Sequence, residues 1–388
     1  MTIKSIFFYS LIGFFWANQA LMAQTPVYIS GAEGYAVYRI PAIVSTGSQL
    51  LAFAEGRVHG SADFGDIDIV LKRSADNGKT WSALEVVCDF EDMQAGNPAP
   101  VMDFTDPKYP DGRLFLFYNT GNDHEGEIRK GKGLREVWYK TSVDFGKTWS
   151  EAENISTQVH KINQPEANPD YNNPADWRHY ANTPGHALQI SEGPYKGRVF
   201  VAANHSQGDP QAHFADYRAH AFYTDDHGKS FHLTENVDVQ GSNESTAAEL
   251  SNGRVMMNSR NQKGDVRKRI VSIGENGGQR WISSRFDAQL PDPVCEGSLL
   301  NIGERNGQKI LAFCNAADSL NRDKLTLRIS FDEGKTWPKA MLVDASGKDE
   351  NNYTAYSDIV QVDKSNIGVL YEKNNYKTIV FRLVNWKK

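Results

Sequence analysis

One eight-residue string limits what this chain can fold into more than any other feature. Ser74-Ala-Asp76-Asn-Gly78-Lys-Thr80-Trp81 recurs as Ser142-Val-Asp144-Phe-Gly146-Lys-Thr148-Trp149, as Thr224-Asp-Asp226-His-Gly228-Lys-Ser230-Phe231 and as Ser330-Phe-Asp332-Glu-Gly334-Lys-Thr336-Trp337. A weaker copy stands at Gly274-Glu-Asn276-Gly-Gly278-Gln-Arg-Trp281. The string has the chemistry of a hairpin turn. Asp and Gly suit tight, left-handed positions, the carboxylate can accept from the turn's own amides, and the aromatic residue plugs an apolar layer beside it. Its aspartates are therefore structural, not catalytic, candidates. Each copy follows a short β-type run such as Ile67–Leu71, Glu136–Tyr139 or Leu325–Ile329, so the repeating unit is strand, turn, strand.

The copies lie about 50 to 80 residues apart, room for a small sheet plus loops on one face. Repeating sheets with few helical signals predict an all-β propeller. The Asn-, Pro- and Asp-rich stretch 163–176 reads as a loop elaboration, and no domain boundary is visible.

Residues 1–23 read as an export signal: Lys4 supplies the positive start, Ile6–Trp16 is apolar, and Ala23 precedes a cleavage point at Gln24. Asn18 and Gln19 interrupt the apolar run before the roughly 20 residues a span requires. No cysteine stands there for lipid attachment. The expectation is one domain over residues 24–388, periplasmic or extracellular, with no membrane span in the mature protein. A net charge of −6 and the absence of any long Lys/Arg block exclude a nucleic-acid or anionic-membrane footprint. An anionic ligand would have to be met by local arginines. Cys88, Cys295 and Cys314 fit no zinc spacing; three buried thiols are expected, with Cys295–Cys314 as the alternative pair.

Arg39 in Tyr-Arg-Ile-Pro, Arg260 in Asn-Ser-Arg and Arg322 in Ser-Leu-Asn-Arg could together present planar, bidentate donors to one carboxylate. Arg57 ends an apolar strand, where propellers present ligand-binding side chains. Asp63 lies on the glycine-flanked loop Gly60–Gly65, suited to a general acid at a pocket mouth, with Asp66 the next candidate. Glu244 and Glu249 precede the strand holding Arg260, and Tyr356 precedes the strand Ile359–Val362. A phenol is a weak nucleophile near neutral pH unless a base takes its proton, and a glutamate against Tyr356 would be such a base.

With Tyr38-Arg39-Ile40-Pro41, the segment Ala54–Asp63, Thr183-Pro-Gly-His186, the Glu244–Arg260 stretch, Ala355-Tyr356-Ser357-Asp358, Leu370-Tyr-Glu372 and the five repeats in view, the chain resembles the sialidase (neuraminidase) family of bacteria and animals along nearly all of the mature sequence. In that family the repeats are known as Asp boxes. The resemblance implies a six-bladed β-propeller in which one blade lacks its box. It implies an exo-α-sialidase that retains anomeric configuration, without cofactor or metal, acting on sialylated glycans, and monomeric. By the same resemblance Arg39, Arg260 and Arg322 hold the sugar carboxylate, Asp63 is the acid/base, Tyr356 the nucleophile and Glu244 its base, chosen over Glu249. Arg57 contacts the ring near its 4-hydroxyl, and Asn97 and His205 line the pocket. Arg328 is the alternative should the loop holding Arg322 be misaligned. A trans-sialidase, an enzyme preferring a deaminated nonulosonic acid, and a non-catalytic glycan-binding propeller are the competing readings. Sequons stand at Asn154, Asn204, Asn243 and Asn352, the third beside Glu244.

Overall fold

The computed structural model describes residues 24–348 and 351–388, so the export segment 1–23 lies outside the described residues. Apart from five helical segments of three or four residues, the described chain is strands and loops, and no helix is long and apolar enough to cross a membrane. The strands form antiparallel meanders. Val255–Asn261, for example, pairs with Ser242–Glu249 on one side and Lys268–Glu275 on the other, with Arg280–Pro291 outermost. The innermost strands of the sheets pack one against the next, and the last, Thr354–Gln361, returns to Val37–Ser45, which closes the ring of a propeller.

Hydrogen bonding gathers the strands into five sheets, not the six expected: four of four or five strands and one of eight. The large sheet arises because a single parallel bridge, Ile67 to Gln94, joins the meander Val37–Cys88 to the meander Gln94–Asn154.

The repeated string occupies one place throughout, the connection from the third strand of a meander to its outermost strand. Asp144 Oδ1 accepts the amides of Lys147 at 3.0 Å and Thr148 at 2.9 Å, and Ser142 Oγ donates to it at 2.8 Å. Asp226 accepts in the same way from Lys229 and Ser230. The left-handed positions fall on the residue after the aspartate and on the glycine, not on the aspartate itself: Phe145 has φ 62° and Gly146 φ 78°. The turn aromatics reach a neighbouring meander, Trp149 onto Phe53 with centroids 6.2 Å apart and Trp81 onto Phe381 at 5.6 Å. The closing sheet carries no copy for a topological reason. Its outermost strand is Gln24–Ile29, paired with Thr378–Asn385, so the connection that would hold the turn does not exist.

Near the axis, the fully buried Asp358 carboxylate accepts from Ile43 N at 2.8 Å, His186 N at 2.9 Å and Ser298 Oγ at 2.7 Å, and meets His186 Nδ1 at 2.6 Å. One side chain thus ties segments of four meanders together. Gly185, at φ 100° and with its missing Cβ position 3.2 Å from that carboxyl, is required by this approach. The three cysteines are buried free thiols, so Cys295 and Cys314 do not pair.

Candidate active site

Strand alternation breaks at one end of the inner strands, and the break builds the site. Register shifts fall at Arg39/Ala42, Gly96/Ala99, Trp177/Tyr180, Ser242/Ser245 and Thr354/Ser357. Within or at the edge of these bulges sit Arg39, Asn97, His179, Glu244 and Tyr356, all lining one pocket. A bulge re-aims a side chain out of the two-residue alternation. Ile40 shows what this costs: it is β-branched yet held at φ 55°, a strained conformation worth about 1–3 kcal/mol. Its amide donates to Glu372 Oε1 at 3.0 Å, which fixes that geometry.

The pocket collects Arg39, Arg57, Asp63, Asn97, Glu244, Arg260, Arg322 and Tyr356. Tyr356 is buried, its phenol donating to Glu244 Oε1 at 2.5 Å and accepting from Arg260 Nη1 at 2.8 Å. Arg260 Nη1 also donates to Glu244 Oε2 at 2.5 Å. Burial first, then the Glu244 charge, raises the phenol well above its ordinary value against the pull of Arg260, Arg322 and Arg39. The resting phenol therefore keeps its proton, shared toward Glu244.

Arg39 is locked by Glu372, Nε to Oε1 at 2.9 Å and Nη2 to Oε2 at 3.3 Å, and lies over the Tyr376 ring at 4.1 Å. Desolvation would lower its guanidinium; Glu372 and the neighbouring phenols outweigh this and raise it, so it stays charged. Arg322 is held by the Val294 carbonyl at 3.0 Å and lies 5.6 Å from the Tyr356 centroid. Arg328 is bonded to Asn315 Oδ1 and is absent from the pocket lining, so the structure favours Arg322 as the pocket arginine.

Arg57 spends its donors on its own neighbourhood: Glu55 Oε2 at 2.6 and 3.0 Å, the carbonyls of Ser61 and Ala62, and Asp63 Oδ1 at 2.7 Å. It holds the loop that carries Asp63, whose side chain is 76% exposed. What burial there is would raise the Asp63 carboxyl; the guanidiniums of Arg57 and Arg39 overcome it and hold it below the usual carboxylate range. Asp66 lies away from the site, in a neighbouring groove.

Asn97 lines the pocket, its amide donating to Glu55 Oε1 at 2.8 Å and its Nδ2 to the Asn182 carbonyl. His205 does not line it. Alternation along Val199–Gln207 turns Asn204 to the pocket and sends His205 into the core, stacked on Trp177 with centroids 3.4 Å apart. Glu249 is buried, accepting from Ser191 and Glu192 outside the site. Asn204 and Asn243 are buried pocket residues, which rules out glycans on them in the folded protein.

Several neighbours went unassigned in the sequence reading: Glu55, Gln94, Glu125, Arg135, His179 and Gln262 on the pocket, and Glu372 and Tyr376 behind Arg39. Glu372 was visible as part of a motif, but its partner is 333 residues away. Elsewhere, Asp103, Asp106 and His227 approach one another as metal ligands would. Asp103 already meets His227 Nδ1 at 2.7 Å and Asp106 meets Arg113 at 3.1 Å, so these groups are engaged with protein partners.

The BNR repeat-like domain family matches residues 48–369. A sialidase of Micromonospora viridifaciens is 30% identical over 377 residues, covering 92% of this chain and 53% of its own length. An exo-alpha-sialidase of Aspergillus fumigatus is 28% identical, covering 93% of this chain and 87% of its own. A sialidase of Bacteroides fragilis is 28% identical, covering 89% and 61%. The chain thus spans between about half and three-fifths of the two bacterial relatives. Among solved structures, the Hadza microbial sialidase Hz136 superposes with a TM-score of 0.77 at 24% identity, covering 94% of this chain and 68% of that one. An intramolecular trans-sialidase from Ruminococcus gnavus gives 0.72 at 15% identity, covering 94% and 97%. At these identities the superpositions speak to the fold. With the repeats, the ring of sheets and a sequence match along nearly its whole described length, the chain belongs to the sialidase family built on BNR-like repeats.

Proposed function

We propose that the protein is an exo-α-sialidase that removes terminal sialic acid from glycans in two displacements with retention. The observation that carries the reading is the Tyr356 phenol set between Glu244 and Arg260 in a pocket rich in arginine. Arg39, Arg260 and Arg322 hold the sugar carboxylate. Tyr356 Oη attacks the anomeric carbon as the glycosidic bond breaks, its proton passing to Glu244 while Asp63 protonates the departing oxygen. Water then attacks the same carbon, Asp63 takes its proton, and the phenolate leaves with the proton returned by Glu244.

A tyrosine suits a substrate whose reacting carbon bears a carboxylate. An Asp or Glu nucleophile would meet like charge at ~4 Å, costing about 4 kcal/mol at an effective dielectric near 20. A neutral phenol avoids that repulsion. In the free enzyme Asp63 is held ionised by Arg57 and Arg39. A bound substrate carboxylate offsets these cations and lets Asp63 take up the proton it must donate. In this reading the eight-stranded sheet, which carries two of the repeated turns, counts as two blades fused by one bridge, giving six.

The test is an NMR time course on a sialyl-lactoside with and without added lactose. The expected first product is the α anomer of free sialic acid. A β anomer formed first, or no turnover, overturns the mechanism. Accumulation of a transferred sialoside instead of free sugar makes the protein a trans-sialidase.

A further inference from the structure

One wall of the pocket has no role in the chemistry above. Gln94, Arg135, His179 and Asn204 line it, all more than nine-tenths buried. Gln94 Oε1, Arg135 Nε, His179 Nδ1 and Asn204 Oδ1 have no hydrogen-bond partner among the described residues. Buried polar atoms are nearly always paired, so four orphans on one wall of a ligand pocket mark a surface completed by the ligand.

Arg135 is the centre of this wall. Its strand, Arg135–Ser142, pairs with Arg113–Gly121, and Arg135 lies opposite Gly121. A Cβ on Gly121 would stand 2.9 Å from Arg135 Nε, so the glycine leaves the room in which the guanidinium sits. Among the described residues no carboxylate pairs with it as Glu372 pairs with Arg39 or Glu244 with Arg260. Desolvation accordingly lowers its pKa in spite of the more distant charges of Glu125 and Glu55. His179 is held neutral by burial and by Arg135 itself, and so can donate or accept.

The wall lies on the strands Gln94–Asp103, Arg135–Ser142, Trp177–Asn182 and Val199–Gln207, across the ring of inner strands from Arg322 and Tyr356. In a six-membered sugar ring the carbon opposite the carboxylate-bearing carbon C2 is C5. With the carboxylate on the arginines, the substituent at C5 meets this wall. Ala181 is the sole apolar side chain on it. A hydroxyl can donate to Gln94 or Asn204 and accept from Arg135. An acetamido group can offer its own N–H and carbonyl, but it needs more room than a hydroxyl and brings a methyl for which Ala181 is the one apolar neighbour on the wall.

Building on the sialidase reading, we propose that Arg135 is a specificity-determining residue and that, with Gln94, His179 and Asn204, it selects nonulosonic acids bearing a hydroxyl at C5 over those bearing an acetamido group. Sites built to hydrogen-bond a hydroxyl discriminate by far more than sites that merely enclose one.

The experiment compares kcat/KM on the two 4-methylumbelliferyl α-glycosides, 5-hydroxy and 5-acetamido, for the wild-type chain, Arg135→Ala and Gly121→Ala. The expected wild-type ratio favours the 5-hydroxy sugar by about tenfold or more. Both variants should pull the ratio toward one, with the loss falling mainly on the 5-hydroxy substrate. Wild-type preference for the acetamido sugar overturns the proposal. So does an equal loss on both substrates in Arg135→Ala, which would put its contact on a part of the sugar they share. Turnover of neither glycoside by the wild type removes the sialidase reading and this proposal together. If Arg135→Ala fails to fold, Gly121→Ala, which keeps the guanidinium but displaces it, decides by the same ratio.

Discussion

Tyr356 and Glu244, 112 residues apart in sequence, share a hydrogen bond of 2.5 Å, with Arg260 donating to both. The phenol is thereby presented with its acceptor in place before any substrate arrives. Tyr356→Phe keeps the ring and its packing against Arg39 and Arg322 and removes only the oxygen. Turnover of an aryl sialoside should fall on the order of 10³-fold or more, with far-UV circular dichroism and melting unchanged. Turnover near the wild-type rate would remove Tyr356 from the nucleophile's role.

Asp63 is exposed and held by Arg57, so its loss should disturb chemistry and not the fold. Asp63→Ala is expected to lower kcat/KM on a sialyl-lactoside by about 10²–10⁴. On an aryl glycoside, whose leaving group departs without a proton, the deficit in the first step should be much smaller. Equal losses on both substrates would argue against proton donation by Asp63.

Glu372 has no exposure and serves Arg39, the Ile40 amide and the Tyr356 amide, the last at 3.2 Å. Removing one partner of a buried ion pair strands the other. Glu372→Ala should cost about 3–5 kcal/mol in denaturant unfolding and raise KM as Arg39 and the strained Ile40 bulge relax. A destabilisation below about 1 kcal/mol would show that Arg39 finds another anchor.

His160 and His220 are buried with Trp177 and Tyr180, and burial drives both down to about 3 from 6.5. The unfolded chain therefore binds more protons between those values, so the stability these groups confer is full above about pH 6.5 and is lost as pH falls toward 3. Each should contribute a slope of about 1.4 kcal/mol per pH unit in that window. Denaturant midpoints measured from pH 7 to 4.5 should fall steeply, and the slope should flatten in His220→Phe. An unchanged slope in that variant would place the acid sensitivity elsewhere.

The turns and the strand-rich architecture were legible in the sequence because they are local. Asp144 and Gly146 act on residues within four positions, and each copy repeats the same instruction. The count of sheets was not legible, since the Ile67–Gln94 bridge leaves no local trace. The site divides in the same way. Arg39, Asp63, Glu244, Arg260, Arg322 and Tyr356 stood out through their flanking motifs, and all reach the pocket. His205 was misplaced by one position along a strand, where alternation gives the pocket to Asn204. Arg135 and His179 have nothing near them in sequence to mark them, and the motif around Glu372 does not say what it holds. Their meaning lies in a glycine across the sheet, a partner 333 residues away and a bulge that breaks the two-residue period.

The strand Gln24–Ile29 fills the outer edge of the sheet whose inner strand carries Tyr356. Residues from the two ends of the chain must find each other to finish that sheet, the slowest kind of contact for a polypeptide to make. Until they do, a refolding chain can hold its five other meanders and most of its arginines while the sheet that carries Tyr356 is still unfinished. The first appearance of glycosidase turnover during refolding would then time the joining of the two ends, so that catalysis itself becomes the clock for ring closure.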